Sequence, residues 1–480
     1  WIAAEDMDPE LMRMEPSLLN ADSPFIALHH EVMNWLQARR QSTVFDDSHL
    51  QVMFSQCKKL VERLQKRGAV VGSSLNTAYL LERLSQTLER LETLMAIFVS
   101  NRYLPRRILL LTGCFARAAA ERHSISRLWK QSSGLMARSV TQNAGDHGEH
   151  YITRDKKEYW AMFYSAAGGG VLIALMALFK TYLGSIIDDK VWKGIAEGLN
   201  YGLGFMVIFM LHFTVATKQP AMTAARFAEA VEKTPQGKTV NMKLAQLLVD
   251  VFRSQSIAVL GNVLIAMGLA ALIAFGYQYK TGESLMNADQ IAYQLHSIDP
   301  LAGTLWFAAI AGVWLFCSGI ISGYFDNRSN YLNMRMRLAQ HPLLKKLMSE
   351  KTRVKFANYM HENYGSLIGN LCFGMLLGIT GVVGYLTHLP LDIRHVAFSS
   401  ANVGYIAVSG HFTYSLLLQC IGFVLLIGLV NLIVSFSLTL WVALRSLNAE
   451  IDSWWPIWHE VCQIVKKRPL SLFLPVQLDK

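Results

Sequence analysis

The densest set of chemically capable side chains in this chain is the run Leu389-Pro390-Leu391-Asp392-Ile393-Arg394-His395, followed by Ser399, Ser400, Asn402 and a mostly apolar segment to His411. A carboxylate, a guanidinium and an imidazole so close together can hold a charged ligand, or can pair with one another and merely pack. The segment around them is too hydrophobic for a solvated loop. Irregular backbone at membrane depth is tolerated only where protein covers it or where it lines a cavity. Residues near 387–413 are therefore expected to form a re-entrant or lid-like segment, with Asp392, Arg394 and His395 facing protein or water as candidate ligand or gating groups.

Two further runs place polar residues beside apolar ones. His212 is followed by Thr214, Thr217, Lys218, Gln219 and Pro220, where the proline favours a turn, so Lys218 and Gln219 belong either to an interfacial elbow or to a gate. In Ser322-Gly323-Tyr324-Phe325-Asp326-Asn327-Arg328 the spacing lets Asp326 and Arg328 pair across a turn, with Asn327 between them, and again structure and gating are the alternatives. Beyond it Arg335, Arg337, His341, Lys345 and Lys346 lie close together. Arg335, Arg337, Lys345 and Lys346 suit contact with phosphate or a lipid headgroup, or form a solvated positive face.

Other chemistry finds less support. His147 and His150, with Asp146 and Glu149, form a small HxxH cluster that would need ligands from elsewhere to hold a metal, so no metal site is assigned. The six cysteines are scattered without a CxxC pair. Neither a Walker motif nor a dinucleotide fingerprint beside a strand is present, and no cofactor is expected.

The elements that must position these residues are helices. Six apolar stretches, at about 159–179, 195–215, 256–277, 301–324, 367–386 and 414–444, each meet or nearly meet the roughly 20 residues a membrane-crossing helix needs. Basic residues alternate between their connections. Lys218, Arg226, Lys233, Lys238, Lys243 and Arg253 separate the second stretch from the third, and Arg328, Arg335, Arg337, Lys345, Lys346, Lys351, Arg353 and Lys355 separate the fourth from the fifth. The other connections carry Lys180, Lys190 and Lys193, then Lys280, then Arg394. The positive-inside rule puts both termini and the two basic connections in the cytoplasm of a multi-pass protein. The formal net charge of +10, concentrated at these edges, favours anionic lipid over nucleic acid as partner.

Residues 1–150 read as a cytoplasmic helical domain and residues 151–480 as the six-span transmembrane domain. Ser74 is placed to cap a helix with Leu75, Tyr79, Leu80, Leu84, Leu88, Leu91 and Met95 on one stripe, and similar patterns recur over 25–40, 49–66 and 106–136. A bundle of four or more helices follows, joined to the membrane region by the Gly-, Asn- and Asp-rich residues 142–150. The fold class is thus all-α. The start at Trp1, with no basic-then-apolar leader, fits a piece of a longer protein. Within the stretches, Gly374 and Gly378 form a GxxxG and Asn200, Asn262, Asn370 and Asn431 are placed to join helices.

The strings SAAGGGVLIALMALFK, LNYGLGFMVIFMLHFTVATKQPAMTAA, SGYFDNRSNY, GNLCFGMLLG and LPLDIRHVAFSSAN, in this order, resemble the bacterial membrane-protein family catalogued as site-specific recombinases of the gonococcal type. The resemblance implies a Gram-negative inner-membrane protein bearing a recombinase label, and brings no catalytic site that maps onto this chain. A tyrosine recombinase needs arginines and a histidine around the scissile phosphate. None of the fourteen histidines here has an arginine three residues later. For a serine recombinase, only Ser124 and Ser126 near Arg122 and Arg127 suggest themselves, on what reads as an ordinary helix surface. Transport, channel or lipid and envelope handling is therefore favoured over strand exchange. A membrane-anchored scaffold recruiting a protein partner through residues 1–150 is the alternative.

Overall fold

The structure, a computed structural model, describes residues 8–16, 23–41, 47–72, 74–99, 104–121, 152–153, 155–216, 219–232, 238–409, 412–446, 451 and 453–475. Every regular element among them is helical. In chain order these are α1 (Pro9–Met14), α2 (Pro24–Arg40), α3 (Asp47–Val71), α4 (Leu75–Val99), α5 (Leu104–Glu121), α6 (Lys156–Ile186), α7 (Lys190–Met210), α8 (Gln219–Glu232) and α9 (Lys238–Thr281). They continue as α10 (Ala288–Ile298), α11 (Thr304–Tyr331), α12 (Met334–Gln340), α13 (Pro342–Leu347), α14 (Glu350–Thr387), α15 (Val396–Ala407), α16 (Tyr414–Ser446) and α17 (Trp455–Lys467). Two compact units result: residues 1–139 with 327–361, and residues 140–326 with 362–480.

In the first unit α1 to α4 close around Leu11, Phe25, Leu28, Phe54, Leu64, Leu84 and Leu88. Ser74 caps α4, its Oγ accepting from the Thr77 amide at 3.0 Å. The stripe on α4 is core at Leu80, Leu84, Leu88 and Met95, whereas Tyr79 is half-exposed and Leu81 is buried instead. An expected turn is displaced. α11 runs through Asp326–Arg328 as helix and ends at Tyr331, and the chain reverses at Asn333, whose φ of 48° is left-handed. An asparagine tolerates that conformation better than most residues.

Tyr331 meets α1 through a polar knot. Its hydroxyl donates to Glu10 Oε1 at 2.8 Å, Thr77 Oγ1 donates to Glu10 Oε2 at 2.5 Å, and the Arg13 guanidinium lies 4.2 Å from the Tyr331 ring centroid. Burial pushes the Glu10 pKa up, but hydrogen bonds from Thr77, Tyr331 and Ser74 and the charge of Arg13 outweigh it, leaving the group below its ordinary value of 4.5. A carboxylate depressed on folding stabilises the fold above its unfolded pKa, and that stabilisation disappears as pH falls through the folded value. Glu10→Gln should therefore lower the thermal midpoint of this unit at pH 7 and leave it little changed near pH 3. Equal losses at both pH values would refute the assignment.

Five helices among the described residues are long and apolar enough to cross a membrane: Lys156–Ile186, Asn241–Thr281, Thr304–Tyr331, Glu350–Thr387 and Tyr414–Ser446. The second of the six expected stretches forms α7. Its apolar run is the shortest because Lys190, Lys193, Glu197 and Asn200 occupy its first half. α7 nevertheless returns alongside α6: Asn200 Nδ2 donates to Met176 O at 2.9 Å midway, and just beyond the helix the Thr214 amide donates to Ser165 O at 3.1 Å.

Small residues let the apolar helices approach. A Cβ on Gly374 would collide with the backbone of Gly202, and one on Gly378 with that of Gly198, so Gly198 and Gly202 on α7 mesh with the GxxxG of α14. Asn262 on α9 donates to Ala166 O at 2.5 Å and Thr214 O at 2.9 Å and accepts from the Ala216 amide at 2.8 Å. That clip fixes the turn after α7, which falls at residues 211–216, before Pro220 rather than at it. Pro220 sits in the first turn of α8, where its missing amide costs little. Arg253, counted in the sequence among basic connecting residues, is buried within α9 and donates to Thr153 O at 2.6 Å and Asp250 Oδ1 at 2.9 Å.

Candidate functional site

Helical spacing assembles a polar cleft at one end of the second unit. α7 contributes Lys193, Glu197 and Tyr201, four residues apart and hence on one face, and the glycines one position later turn a neighbouring face to α14. α6 contributes Lys180, Thr181 and Gly184, while α10 contributes Gln290, Tyr293, Gln294 and Ser297 at spacings of three and four. The far wall is the segment Asp392–His395 with Phe398, Ser399 and Asn402 of α15. The cleft encloses about 320 Å³, inside the roughly 300–1,000 Å³ usual for ligand pockets.

Four of its five charged groups form two ion pairs. Lys180 Nζ lies 3.5 Å from Glu197 Oε2, and its side chain keeps 39% of its surface exposed, facing the cleft from within an apolar helix. Arg394 pairs with Asp392 at 2.6 Å, donates from Nε to Ser297 O at 2.7 Å, and lies 5.3 Å from the Phe307 ring centroid. Lys193 Nζ packs close over Gly184, 3.1 Å from where a Cβ would stand. His395 borders the cleft but is 1% exposed, its ring centroid 5.7 Å from Phe398, 5.8 Å from Phe373 and 6.1 Å from Phe205.

A single side chain anchors the far wall. The residue preceding α15, His395, makes no capping hydrogen bond through its side chain. The acceptor comes instead from α16: Asn431 Oδ1 takes the Val396 amide at 3.2 Å, and Asn431 Nδ2 donates to Arg394 O at 3.0 Å and Ala308 O at 2.7 Å. α15 is then buried almost throughout, from Val396 to Ile406. Its Tyr405 hydroxyl donates to Ala174 O at 2.8 Å.

Of the residues expected to act together, Asp392, Arg394 and His395 converge on this cleft. Lys218 lies outside the described residues, as do Ser124, Ser126, His147 and His150, and Gln219 opens α8. Asp326 accepts the Gly365 amide at 2.9 Å, joining α11 to α14 where the absence of a Gly365 side chain admits it. Asn327 and Arg328 occupy the last turn of α11, so all three belong to a continuous helix. Arg335 and Arg337 on α12 and Lys345 and Lys346 on α13 are exposed, and Arg337 borders an open groove of about 490 Å³ with Arg13. Of the four asparagines, Asn200, Asn262 and Asn431 bond to other helices, while Asn370 Nδ2 donates to Ser366 O of its own helix at 2.7 Å. No group of three His, Cys, Asp or Glu side chains suited to a metal occurs among the described residues.

Sequence reasoning missed Lys180, Lys193, Glu197, Tyr201 and all of α10. A signal for α10 was present: Asn287 and Gln290 have capping-box spacing, and Asn287 Oδ1 accepts the Gln290 amide at 2.8 Å while Gln290 Oε1 accepts the Asn287 amide at 3.0 Å. The four-residue repeat Lys193, Glu197, Tyr201 was legible too, once α7 is begun at Lys190.

Fold and cleft together define an all-helical chain with helices able to cross a membrane and a charged cleft among them. A family model described as Site-specific recombinase matches residues 1–475, and the chain belongs to that family. Comparison with curated proteins and with solved structures finds no match.

Proposed function

We propose that this chain is a multi-pass protein of the bacterial inner membrane that binds a charged or polar-headed ligand in the cleft between α6, α7, α10 and α15, in transport or in lipid and envelope handling. The observation carrying this reading is the convergence of Lys180, Lys193, Glu197, Asp392 and Arg394 on one cleft among apolar helices. Ionisable groups there are costly and mark ligand pathways by default.

Six crossings are supported by α7, whose 21 residues at about 1.5 Å each rise roughly 31 Å, close to the thickness of a bilayer core. With six, both termini and the basic connections fall on the cytoplasmic side and the cleft on the other, with residues near 387–413 as a re-entrant segment. DNA strand exchange draws support only from the family's label, and nucleic acid is not the expected partner.

The test is native mass spectrometry of the protein released gently from membranes, with Glu197→Gln and Lys193→Gln beside the parent. A stoichiometric lipid or metabolite carried by the parent and reduced in both variants is the expected result. DNA retained through high salt, with no small ligand in any sample, would overturn the reading in favour of the label.

A scaffold role has one observation in its favour. α5 leaves Ile108, Leu109, Leu110 and Phe115 exposed, with Leu109 at 72%, an apolar surface suited to a protein partner. If that role dominates, a chain lacking residues 1–150 should lose function while its remaining helices stay folded. Full activity of the shortened chain would exclude it.

A further inference from the structure

Beside the charged cleft lies a second hollow of opposite character. Leu175, Leu178, Phe179 and Tyr182 of α6, with Tyr277 of α9 and Leu285, line a groove of about 650 Å³. Thr181 and Gln290 border both spaces, so the two are neighbours along one wall. α6 makes this division by its own geometry: Lys180, Thr181 and Gly184 face the cleft, while Leu175, Leu178, Phe179 and Tyr182 face the groove.

We infer that the two spaces hold one molecule, an anionic membrane phospholipid whose phosphodiester headgroup occupies the cleft and whose acyl chain lies in the groove. This rests on the reading of the cleft as a ligand site and names its substrate class. The charge balance selects an anion. Three cations face two carboxylates, and each carboxylate is already engaged, Glu197 with Lys180 at 3.5 Å and Asp392 with Arg394 at 2.6 Å. Lys193 has no carboxylate within ion-pair distance among the described residues and packs close over Gly184. Gln290, Gln294, Tyr293 and Asn402 supply neutral polar groups around it.

The apolar half selects a lipid over a soluble phosphate. A groove lined mainly by leucine and aromatic side chains gains from an alkyl chain about 0.8 kcal/mol per buried methylene, a gain that a soluble phosphate has no chain to supply. The shared border at Thr181 and Gln290 places the change from apolar to charged lining where a lipid changes from chain to headgroup.

The experiment uses the purified full chain in detergent with three probes: dioctanoyl phosphatidylglycerol, dioctanoyl phosphatidylcholine and glycerol phosphate. Binding is read by native mass spectrometry and by titration of intrinsic fluorescence. One phosphatidylglycerol per chain is expected, in preference to phosphatidylcholine and far ahead of glycerol phosphate. Lys193→Gln should weaken it about fivefold, the worth of one lysine near an anionic headgroup. Lys193→Arg should retain binding, which separates charge from folding, and Leu178→Trp, filling the groove, should weaken the lipid but not glycerol phosphate.

Glycerol phosphate binding as well as the lipid, indifferent to Leu178→Trp but sensitive to Lys193→Gln, would overturn the phospholipid and leave the cleft as a site for a soluble anion. Lipid that never saturates at one per chain and ignores both variants is surface lipid only, and would also overturn it. Failure of every probe, together with unchanged native ligand content in Glu197→Gln, would remove the cleft reading itself.

Discussion

Asn431→Leu is expected to empty the cleft without dissolving the helices around it. Leucine has the branching and heavy-atom count of asparagine with bulkier methyl ends, so the side chain keeps its shape between α11, α15 and α16 while three hydrogen bonds disappear. The largest loss falls on the Val396 amide. It opens α15, is buried, and has Asn431 Oδ1 as acceptor at 3.2 Å in place of a cap from His395. A buried donor left without a partner costs about 1–3 kcal/mol. Arg394 O loses its donor as well, whereas Ala308 O is already engaged within α11 and loses less. The wall formed by Asp392–His395 should then detach from α16 and carry the Asp392–Arg394 pair away from Ser297. A marked fall in thermal stability, loss of any bound ligand and faster amide exchange at residues 394–399 are the expected observations. If Asn431→Leu keeps both stability and ligand, the anchoring role assigned to this side chain is wrong.

Gly378→Leu is expected to act through shape. Its backbone lies against Gly198 so closely that even a Cβ collides, and leucine adds three further carbons with nowhere to go. Overpacking of this kind typically costs about 1–3 kcal/mol, and more where backbone opposes backbone. The functional consequence follows from register. Glu197 and Tyr201 immediately precede Gly198 and Gly202 on α7, so a push on the glycine face rotates or displaces the charged face next to it. Glu197 would leave its 3.5 Å partner Lys180, and the cleft would change size. Gly381→Leu on the same helix is the control, since nothing lies within 4 Å of a Cβ there. Comparable stability and ligand content in the two variants would show that the α7–α14 contact is not tight.

Much of the architecture was readable because apolar length and helical spacing are local properties. A helix satisfies its own backbone, so a run of about 20 apolar residues announces itself wherever it packs. The stretches around 159–179, 256–277, 367–386 and 414–444 each fall within a helix able to cross a membrane, and that around 301–324 overlaps one that begins at Thr304. Ser74 as a cap and Leu84 and Leu88 as core are local in the same sense.

Turn positions were less legible. The reversal after α7 at residues 211–216 depends on Asn262, some fifty positions away, and nothing in the sequence near Pro220 carries that information. The run Asp326–Arg328 reads as a turn because its residues are polar. It is helix because Gly365 on α14 offers Asp326 an amide and room.

The helical class and the candidacy of Asp392, Arg394 and His395 therefore came from residue type and spacing, since burial in an apolar setting constrains which residues a chain can carry there, while the family came from the resemblance of five ordered strings. Which charges meet was settled by packing. Lys180 and Glu197 stand on separate helices, Arg394 reaches Ser297 from far along the chain, and Asn431 holds a segment that begins thirty-five positions before it. Residues 327–361, which read as a membrane connection, join the first compact unit through Tyr331 and Glu10. Such pairings are relations between distant positions, and a linear pattern records the groups that need partners without recording which partner the fold supplies.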